Sequence, residues 1–193
     1  MVCLQRQALE SDMKTTIICY MGGTCGDLIT AITDPTQAVL NKNSVTLPAE
    51  RSKLKKPHLF ETDKDKDIYI DSIGLVYNSI PSHDLVYHVK QQHDFIGIVV
   101  NDRTVAEWAA DRFKKLHRPH VWEEMQKQCG ATGSQDYAQS MLDFSNLVRE
   151  HTDNIVQLER ILQGRAVDDI KSLGIPAPGK SFYHSWLGNQ QIK

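Results

Sequence analysis

The stretch TTIICYMGGTCGDLITAI, from Thr15 to Ile32, decides the fold of this chain. Its first part, Thr15–Tyr20, has β-branched and apolar residues typical of a buried strand. Met21–Gly26 contains three glycines and predicts a tight loop, and a helix is expected to open near Asp27. In an α/β protein such a loop brings backbone N–H groups and the positive end of a helix dipole to one point. A phosphate or sulfate group commonly binds there.

A second strand is predicted at Phe95–Val100, FIGIVV, a β-branched run suited to the centre of a parallel sheet. An amphipathic helix is predicted at Arg103–Leu116, with Asp102 as its N-cap. This alternation predicts an α/β fold with three layers, a mostly parallel sheet and helices on both faces. Ligands of such sheets bind at the carboxyl ends of the strands, so we expect Met21–Asp27 and Asn101–Arg103 at one edge.

The remaining segments have weaker patterns. Further helices are predicted at Glu61–Ile73, Asp84–Gln92, Pro119–Cys129, Asp153–Leu162 and Ala166–Leu173. Other segments are interpreted as an excursion at Thr36–Lys56, a turn at Asn78–Asp84 and a short strand at Met141–Phe144. We expect one α/β domain over residues 1–193, with Met1–Lys14 as a loose polar arm and Pro178–Lys193 as a C-terminal tail.

Composition and charge limit the classes of protein to which this chain can belong. With 40% hydrophobic residues, 24% charged residues and a net charge of −2, the chain has no global attraction for nucleic acids or anionic membranes. Its four cysteines lack CxxC spacing, which favours free thiols in a reducing compartment. No run of 18 apolar residues and no signal-peptide pattern occurs, so we expect a cytoplasmic protein without nucleic-acid or membrane partners. The oligomeric state is left open.

The loop supplies most of the candidate ligand-binding residues. These are Gly22, Gly23, Thr24, Cys25, Gly26 and Asp27. The glycines permit positive φ and close backbone approach, while the Thr24 hydroxyl can bind an anion. The loop lacks the lysine of a P-loop, so a plain strand-to-helix turn is the alternative. Asp27 would repel an anion but can cap the helix. Cys25 is either a thiol with a pKa lowered by the dipole or a small residue in a tight turn.

Cationic and histidine side chains outside the loop are candidates to complete an anion-binding or catalytic site. The candidate cations are Arg51–Lys56, Arg103, Arg112, Lys114 and Lys115, although each alone is more typical of a solvated surface. His83 is the predicted general base, because a neutral imidazole accepts a proton near pH 7 and Ser82 and Asp84 could orient it. His83, His88 and His93 are spaced five apart and do not share a helix face, so no metal site is expected.

The order of elements resembles the P-loop sulfotransferase superfamily over most of the chain. In that family a loop of the form P-[KR]-S-G-T-T holds the 5′ end of 3′-phosphoadenosine 5′-phosphosulfate. The matching stretch, YMGGTC at Tyr20–Cys25, keeps Gly23 and Thr24 but has Met21 at the basic position.

The family's second signature, a strand followed by R-[ND]-P, binds the 3′-phosphate. FIGIVVNDRTVAEW is similar in layout, with Asn101, Asp102 and Arg103 at the strand end. MLDFSNLV (Met141–Val148) resembles the family's [RF]-[YF]-E-D-L segment, and VDDIKSLGIP (Val167–Pro176) resembles its late leucine–glycine helix end.

The resemblance implies transfer of a sulfuryl group to an unknown hydroxyl or amine acceptor. It implies that 3′-phosphoadenosine 5′-phosphosulfate or another nucleotide is held by the loop residues together with Asn101 and Arg103, without a metal. Two alternatives are a nucleotide or nucleoside kinase-like enzyme on the related fold and a catalytically inactive P-loop-like protein for binding or assembly.

Overall fold

The computed structural model describes residues 16–41, 44–52 and 77–189. In chain order, the strands of the described residues are β1 (Thr16–Cys19), β2 (Val39–Asn41), β3 (Ser44–Thr46), β4 (Ser79–Ser82), β5 (Phe95–Val99) and β6 (Ile155–Gln157). Four of them form a parallel sheet in the order β4-β1-β5-β6, and β2 and β3 form a separate antiparallel hairpin. Helices cover both faces of the sheet, which confirms the α/β class and its mostly parallel sheet.

The described residues form helices of very different lengths. The shorter ones are α1 (Gly26–Thr33), α2 (Ala49–Ser52), α3 (Leu85–Lys90), α7 (Leu158–Leu162) and α8 (Ala166–Ser172). The longer ones are α4 (Arg103–Leu116), α5 (Pro119–Cys129), α6 (Ser134–His151) and α9 (Lys180–Asn189). None of these helices is both long and apolar enough to cross a membrane.

Alternate residues of the central strands bury opposite faces of the sheet, as the period of two in a strand requires. Ile18, Ile96 and Ile98 belong to the larger apolar cluster. Ile17, Cys19, Phe95 and Val99 belong to the smaller one, together with Leu85 and Val148. Because both faces are covered, β5 and the Ile17–Cys19 part of β1 lack polar residues, and these apolar residues are the signal that predicted the two strands.

The structure confirms the predicted elements around the loop. β1 lies within Thr15–Tyr20, β5 lies within Phe95–Val100, and α4 has the predicted bounds. The Asp102 carboxylate accepts a hydrogen bond from the N–H of Val105 at 3.0 Å and so caps α4 as expected.

The apolar spacing of α4 predicts a buried face of Val105, Trp108, Ala109, Phe113 and Leu116, and the structure agrees with it only in part. Its buried residues are Ala106, Ala109, Ala110 and Phe113, whereas Trp108 and Leu116 are 36% and 42% exposed. Because three of its buried side chains are alanines, α4 packs closely against its neighbours. We attribute the exposure of Trp108 and Leu116 to this close packing of the alanine face.

Two interpretations around the edge strands are wrong. Asn78–Asp84 is not only a turn, because Ser79–Ser82 pairs in parallel with β1 as strand β4. β4 is an edge strand, where Pro81 is tolerated because the missing N–H need not join a ladder. Asp153–Leu162 is not one helix: Ile155–Gln157 forms β6 beside β5, and only Leu158–Leu162 is helical.

The strand predicted at Met141–Phe144 is also wrong, because this segment lies inside the 18-residue helix α6. Ala138, Met141, Ser145 and Val148 are buried at spacings of three and four, which is the helical period. The segment expected as a tail forms α9, with Tyr183 and Trp186 buried. The predictions for Met1–Lys14 and Glu61–Ile73 lie outside the described residues.

Candidate functional site

The glycine loop is a tight turn between β1 and α1. The Met21 carbonyl accepts hydrogen bonds from the Thr24 N–H at 3.2 Å and from the Thr24 hydroxyl at 2.8 Å. Gly23 has a φ of +98° and Cys25, the N-cap of α1, a φ of +64°. The left-handed backbone at these two positions reverses the chain so that α1 begins at the carboxyl end of β1.

The glycines of the loop are also required by close packing. A Cβ on Gly26 would lie 2.1 Å from the Tyr20 ring, and a Cβ on Gly22 would lie 2.8 Å from the Phe113 ring. The Tyr137 hydroxyl donates to the Gly22 carbonyl at 3.1 Å. The loop is therefore held in one position by side chains of the core and of α6.

A cavity of about 530 Å³ opens at this loop, at the carboxyl edge of the sheet. That volume is within the usual range for small-molecule sites. One wall is the loop and the start of α1, and a second is formed by α4 and α5. The rest of the lining comes from β3, from Trp186 of α9, and from Tyr20, Ser52 and His83. The lining from α4 and α5 consists of Arg112, Phe113, Leu116, His117, Val121, Glu124, Met125 and Gln128.

The structure brings most of the predicted site residues together. Those that line the cavity are Gly22, Gly23, Cys25, Gly26, Asp27 and His83. Thr24 is buried and its hydroxyl donates to the Met21 carbonyl, so it supports the turn instead of facing the cavity. Asn101 and Arg103 do not line the cavity, although their turn follows β5 at the same edge of the sheet.

Met21 stands where the resemblance places a basic residue, and its side chain packs against the larger apolar cluster. Arg112 of α4 lines the cavity instead. Burial raises the pKa of the Cys25 thiol above its ordinary value, and the positive charge of Arg112 opposes that rise.

Two tryptophans position the Arg112 guanidinium. Its central carbon lies 5.6 Å from the centroid of the Trp108 ring and 5.7 Å from that of Trp186. Contacts of this kind attract the cation to the ring faces and restrict a flexible side chain. Arg112 was one of several candidate cations in the sequence, and only its place in the fold separates it from the others.

His83, Tyr20 and Asp27 form a connected group on the cavity wall. The Nδ1 atom of His83 lies 2.5 Å from the Tyr20 carbonyl oxygen, and the two rings meet edge to face with centroids 4.5 Å apart. Because a carbonyl only accepts, Nδ1 carries the proton in this contact, and the neutral ring then has Nε2 as its acceptor.

The Tyr20 hydroxyl donates to the Asp27 carboxylate at 2.5 Å. Burial and the nearby Asp27 carboxylate raise the pKa of Tyr20 well above its ordinary value, so Tyr20 stays protonated and donates. Tyr20 thereby ties the base candidate His83 and the helix-start carboxylate Asp27 to the end of β1.

The turn after β5 already holds an oxyanion, the side chain of Glu159. The Glu159 Oε1 atom accepts from the N–H groups of Asn101 and Asp102 at 2.7 and 2.8 Å. Arg149 donates to the Asn101 side-chain carbonyl, and Arg103 donates to Glu107 and to Gln139 at 3.0 Å each. The residues expected to bind a phosphate are therefore engaged with other side chains of the same chain.

Arg51, another candidate cation, is fully buried away from the cavity. Its guanidinium donates to the Ser79 and Asp34 carbonyls at 2.8 and 3.0 Å and lies 3.4 Å from the Asp34 carboxylate. It joins α2 to the end of α1 and to β4, so its function is structural. The other predicted basic residues of that segment, Lys53, Lys55 and Lys56, lie outside the described residues.

Sequence reasoning missed the α5 wall and the contribution of β3. Val121, Glu124, Met125 and Gln128 recur at helical spacing on α5, and this pattern by itself is indistinguishable from a face packed on the core. Ser44, Val45 and Thr46 of β3 reach the cavity because the hairpin lies against α1. Among the described residues, no group of three or more metal-ligating side chains occurs.

Comparison of the chain with protein-family models, with curated proteins and with solved structures gave no match. The geometry of the cavity and the chemistry of its residues are therefore the basis for inferring its function.

Proposed function

We propose that the protein binds a phosphorylated adenosine ligand in the cavity at the glycine loop and acts as a P-loop sulfotransferase-like transferase. The observation that carries this proposal is Arg112, a cation beside the loop in a cavity that also contains His83. The loop lacks a cation of its own, and Arg112 can neutralise an anion held against the backbone of Gly22–Asp27.

The volume of the cavity and its apolar wall suit a ligand in which an organic group is attached to the anion. A sulfate or phosphate group fills only a small part of 530 Å³. Phe113, Leu116, Val121 and Met125 offer an apolar wall for a ring, and Gln128 offers an amide to its polar edge. We place the anionic end of the ligand at the loop and its ring against α5.

We propose a donor of the 3′-phosphoadenosine 5′-phosphosulfate type, held at its 5′ end, which when bound would supply the sulfuryl group and leave as adenosine 3′,5′-bisphosphate. Arg112 and the loop N–H groups would stabilise the charge that develops on the group in transfer. His83 would accept the proton of the acceptor hydroxyl or amine at Nε2, with Nδ1 held by the Tyr20 carbonyl.

Binding can be tested with AMP and adenosine 3′,5′-bisphosphate by isothermal titration. Arg112→Gln is expected to weaken binding at least about tenfold, the effect of losing one charged hydrogen bond. Arg103→Gln is the matched control, because Arg103 is on the same helix but pairs with Glu107 outside the cavity. Absence of binding, or equal losses in the two variants, would overturn the proposal.

A second candidate function is ligand binding without catalysis. It is favoured by the Glu159 carboxylate, which already accepts from the N–H groups of Asn101 and Asp102. The two candidates differ at His83. If the protein transfers a sulfuryl group, His83→Gln should abolish turnover and leave ligand affinity within about threefold, because only the proton acceptor is altered. Binding without turnover in the unmodified protein would select the second candidate.

A further inference from the structure

We infer that His88 is a positioning residue for His83 and that it acts through the Ser82 hydroxyl. The role of His83 as the proton acceptor rests on the proposed function, whereas the contacts of His88 and Ser82 lie behind the cavity wall. His88 belongs to α3 and is 3% exposed, and Ser82, the last residue of β4, is 2% exposed. Neither of them lines the cavity.

His83 is the first residue after β4, so the end of this strand determines where its ring lies. β4 pairs in parallel with β1, with Ser82 opposite Cys19, and the Ser82 carbonyl accepts from the Tyr20 N–H at 3.0 Å. This pairing brings His83 beside Tyr20, whose carbonyl is in contact with Nδ1 of the imidazole. The contact persists only if Ser82 and the turn after it are held in place.

The Ser82 hydroxyl closes the turn that contains His83. Its Oγ atom accepts from the N–H of Asp84 at 3.1 Å, so the two residues that flank His83 are bonded to each other. Serine forms this kind of turn because its hydroxyl reaches the backbone two residues further on. The Asp84 carboxylate caps α3 by accepting from the Tyr87 N–H at 3.1 Å. Ser82 and Asp84 therefore orient His83 through its backbone.

His88 holds the Ser82 hydroxyl in this orientation. Its Nε2 atom lies 2.8 Å from Ser82 Oγ. A hydroxyl oxygen can accept the Asp84 N–H and form a second hydrogen bond with an imidazole, as donor or as acceptor. Because Ser82 and His88 are both buried, water does not replace the imidazole at this hydroxyl. Without His88 the hydroxyl can rotate to another rotamer and release the Asp84 N–H.

His93, in the turn before β5, fixes the orientation of the His88 ring. The Nδ1 atoms of the two rings lie 3.1 Å apart, so one of them donates a proton and the other accepts it. The rings of Tyr87 and His93 lie near that of His88, with centroids 5.2 and 5.4 Å away. Both nitrogens of His88 are therefore in hydrogen bonds, and a flipped ring would lose both. A continuous series of contacts thus leads from His93 through His88 and Ser82 to His83.

The direct test is the tautomer of His83, read from the nitrogen shifts of ¹⁵N-labelled histidine rings at about pH 8, where an ordinary imidazole is neutral. In the unmodified protein we expect a proton on Nδ1 and none on Nε2, since the Tyr20 carbonyl can only accept. In Ser82→Ala, which removes only the hydroxyl oxygen, His83 should populate both tautomers, because the turn no longer holds its ring against Tyr20.

Two substitutions of His88 separate its hydrogen bond from its volume. His88→Leu fills the space without a polar atom, and it should give the same mixture of His83 tautomers as Ser82→Ala. His88→Gln retains an amide that can bond to the Ser82 hydroxyl, so His83 should keep its single tautomer. Ser82→Ala, the smallest change, serves if His88→Leu does not fold.

His120→Gln is the control for the loss of an imidazole. His120 is exposed on α5 and does not line the cavity, so this variant should leave the His83 tautomer unchanged.

AMP affinity supplies a second readout. In Ser82→Ala and His88→Leu it should stay within about threefold of the unmodified protein, because Arg112 and the glycine loop are not altered. A loss of about tenfold or more in both variants would show that these substitutions disturb the whole cavity, and it would overturn a positioning role specific to His83.

The outcomes for His88 and for the proposed function are distinguishable. A single Nδ1-protonated tautomer of His83 in both Ser82→Ala and His88→Leu would overturn the positioning role, as would the same mixture in His88→Leu and His88→Gln. Either result would leave the proposed function standing. Absence of AMP binding in the unmodified protein would overturn the proposed function, and the His83 tautomers would still decide whether His88 positions this ring.

Discussion

Gly26 has no room for a side chain because the ring of Tyr20 lies against it. A Cβ at this position would lie 2.1 Å from the ring, well inside van der Waals contact. The same ring meets His83 edge to face, and its hydroxyl donates to Asp27. One tyrosine at the end of β1 thus determines where the helix begins and where two titratable side chains of the cavity lie.

Gly26→Ala is expected to lower the free energy of unfolding by about 1–3 kcal/mol, because the added carbon must displace the buried Tyr20 ring. Gly188→Ala is the matched control. A Cβ on Gly188 meets nothing within 4 Å, and alanine favours the helical state, so stability should be unchanged or raised by up to about 1 kcal/mol. Urea denaturation measures both, and effects of the same sign and size would contradict this packing argument.

At the scale of elements, strands and helices were predictable where their own residues determine them. β5 and α4 follow from a β-branched run and from regular apolar spacing. β4 was missed because SIPS, with two serines and a proline, has a weak strand preference. β6 was missed because Ile155, Leu158 and Leu162 fall at near-helical spacing, and only pairing with β5 makes its three residues a strand.

Helix α6 packs closely against the sheet because β5 has a glycine, Gly97, at the point of contact. A Cβ on Gly97 would lie 2.1 Å from a γ-methyl group of Val148, so the helix approaches the sheet closely at this position. The Ser145 hydroxyl accepts from the Val100 N–H at 2.8 Å and adds a polar contact nearby.

Gly97→Ala should therefore lower the free energy of unfolding by about 1–3 kcal/mol. Combining it with Val148→Ala removes the methyl groups that the new carbon meets. Denaturation of the two single variants and the double variant should show a coupling energy of at least about 0.5 kcal/mol that favours the double variant. Strictly additive effects would contradict a direct contact between β5 and α6.

At the scale of the whole molecule, the Asp34–Arg51 pair joins segments that are distant in sequence. The Asp34 carboxylate accepts from the N–H groups of Thr36 and Asn78 at 2.9 and 2.7 Å and faces Arg51. Burial opposes its ionisation, but these donors and the Arg51 charge outweigh burial and hold the pKa of Asp34 below its ordinary value.

This shift predicts how stability depends on pH. A carboxylate with a lowered folded-state pKa stabilises the native state above its unfolded pKa of about 3.9, and this contribution is lost as pH falls through the folded pKa. Asp34→Asn, which leaves Arg51 buried without its counter-charge, should cost about 3–5 kcal/mol at pH 6. The difference from the unmodified protein should shrink below about pH 4, because Asp34 itself then becomes neutral.

Urea midpoints of both proteins between pH 6 and pH 2.5 measure this difference. Other carboxylates titrate in both proteins and cancel in the comparison. A difference that stays constant across this range would show that the charge of Asp34 does not contribute.

The sequence by itself determined the strand, the glycine loop and the helix that begin the domain. Their cause is local, since the positive φ at Gly23 and the apolar residues Ile17–Cys19 of β1 can be identified from neighbouring residues alone. Only the tertiary structure decided which charges meet at the carboxyl edge of the sheet. Arg112 lies beside the loop because α4 packs there, and Glu159 closes the β5 turn because β6 pairs with β5. Contacts between residues so far apart depend on how the elements pack, and no local pattern encodes them.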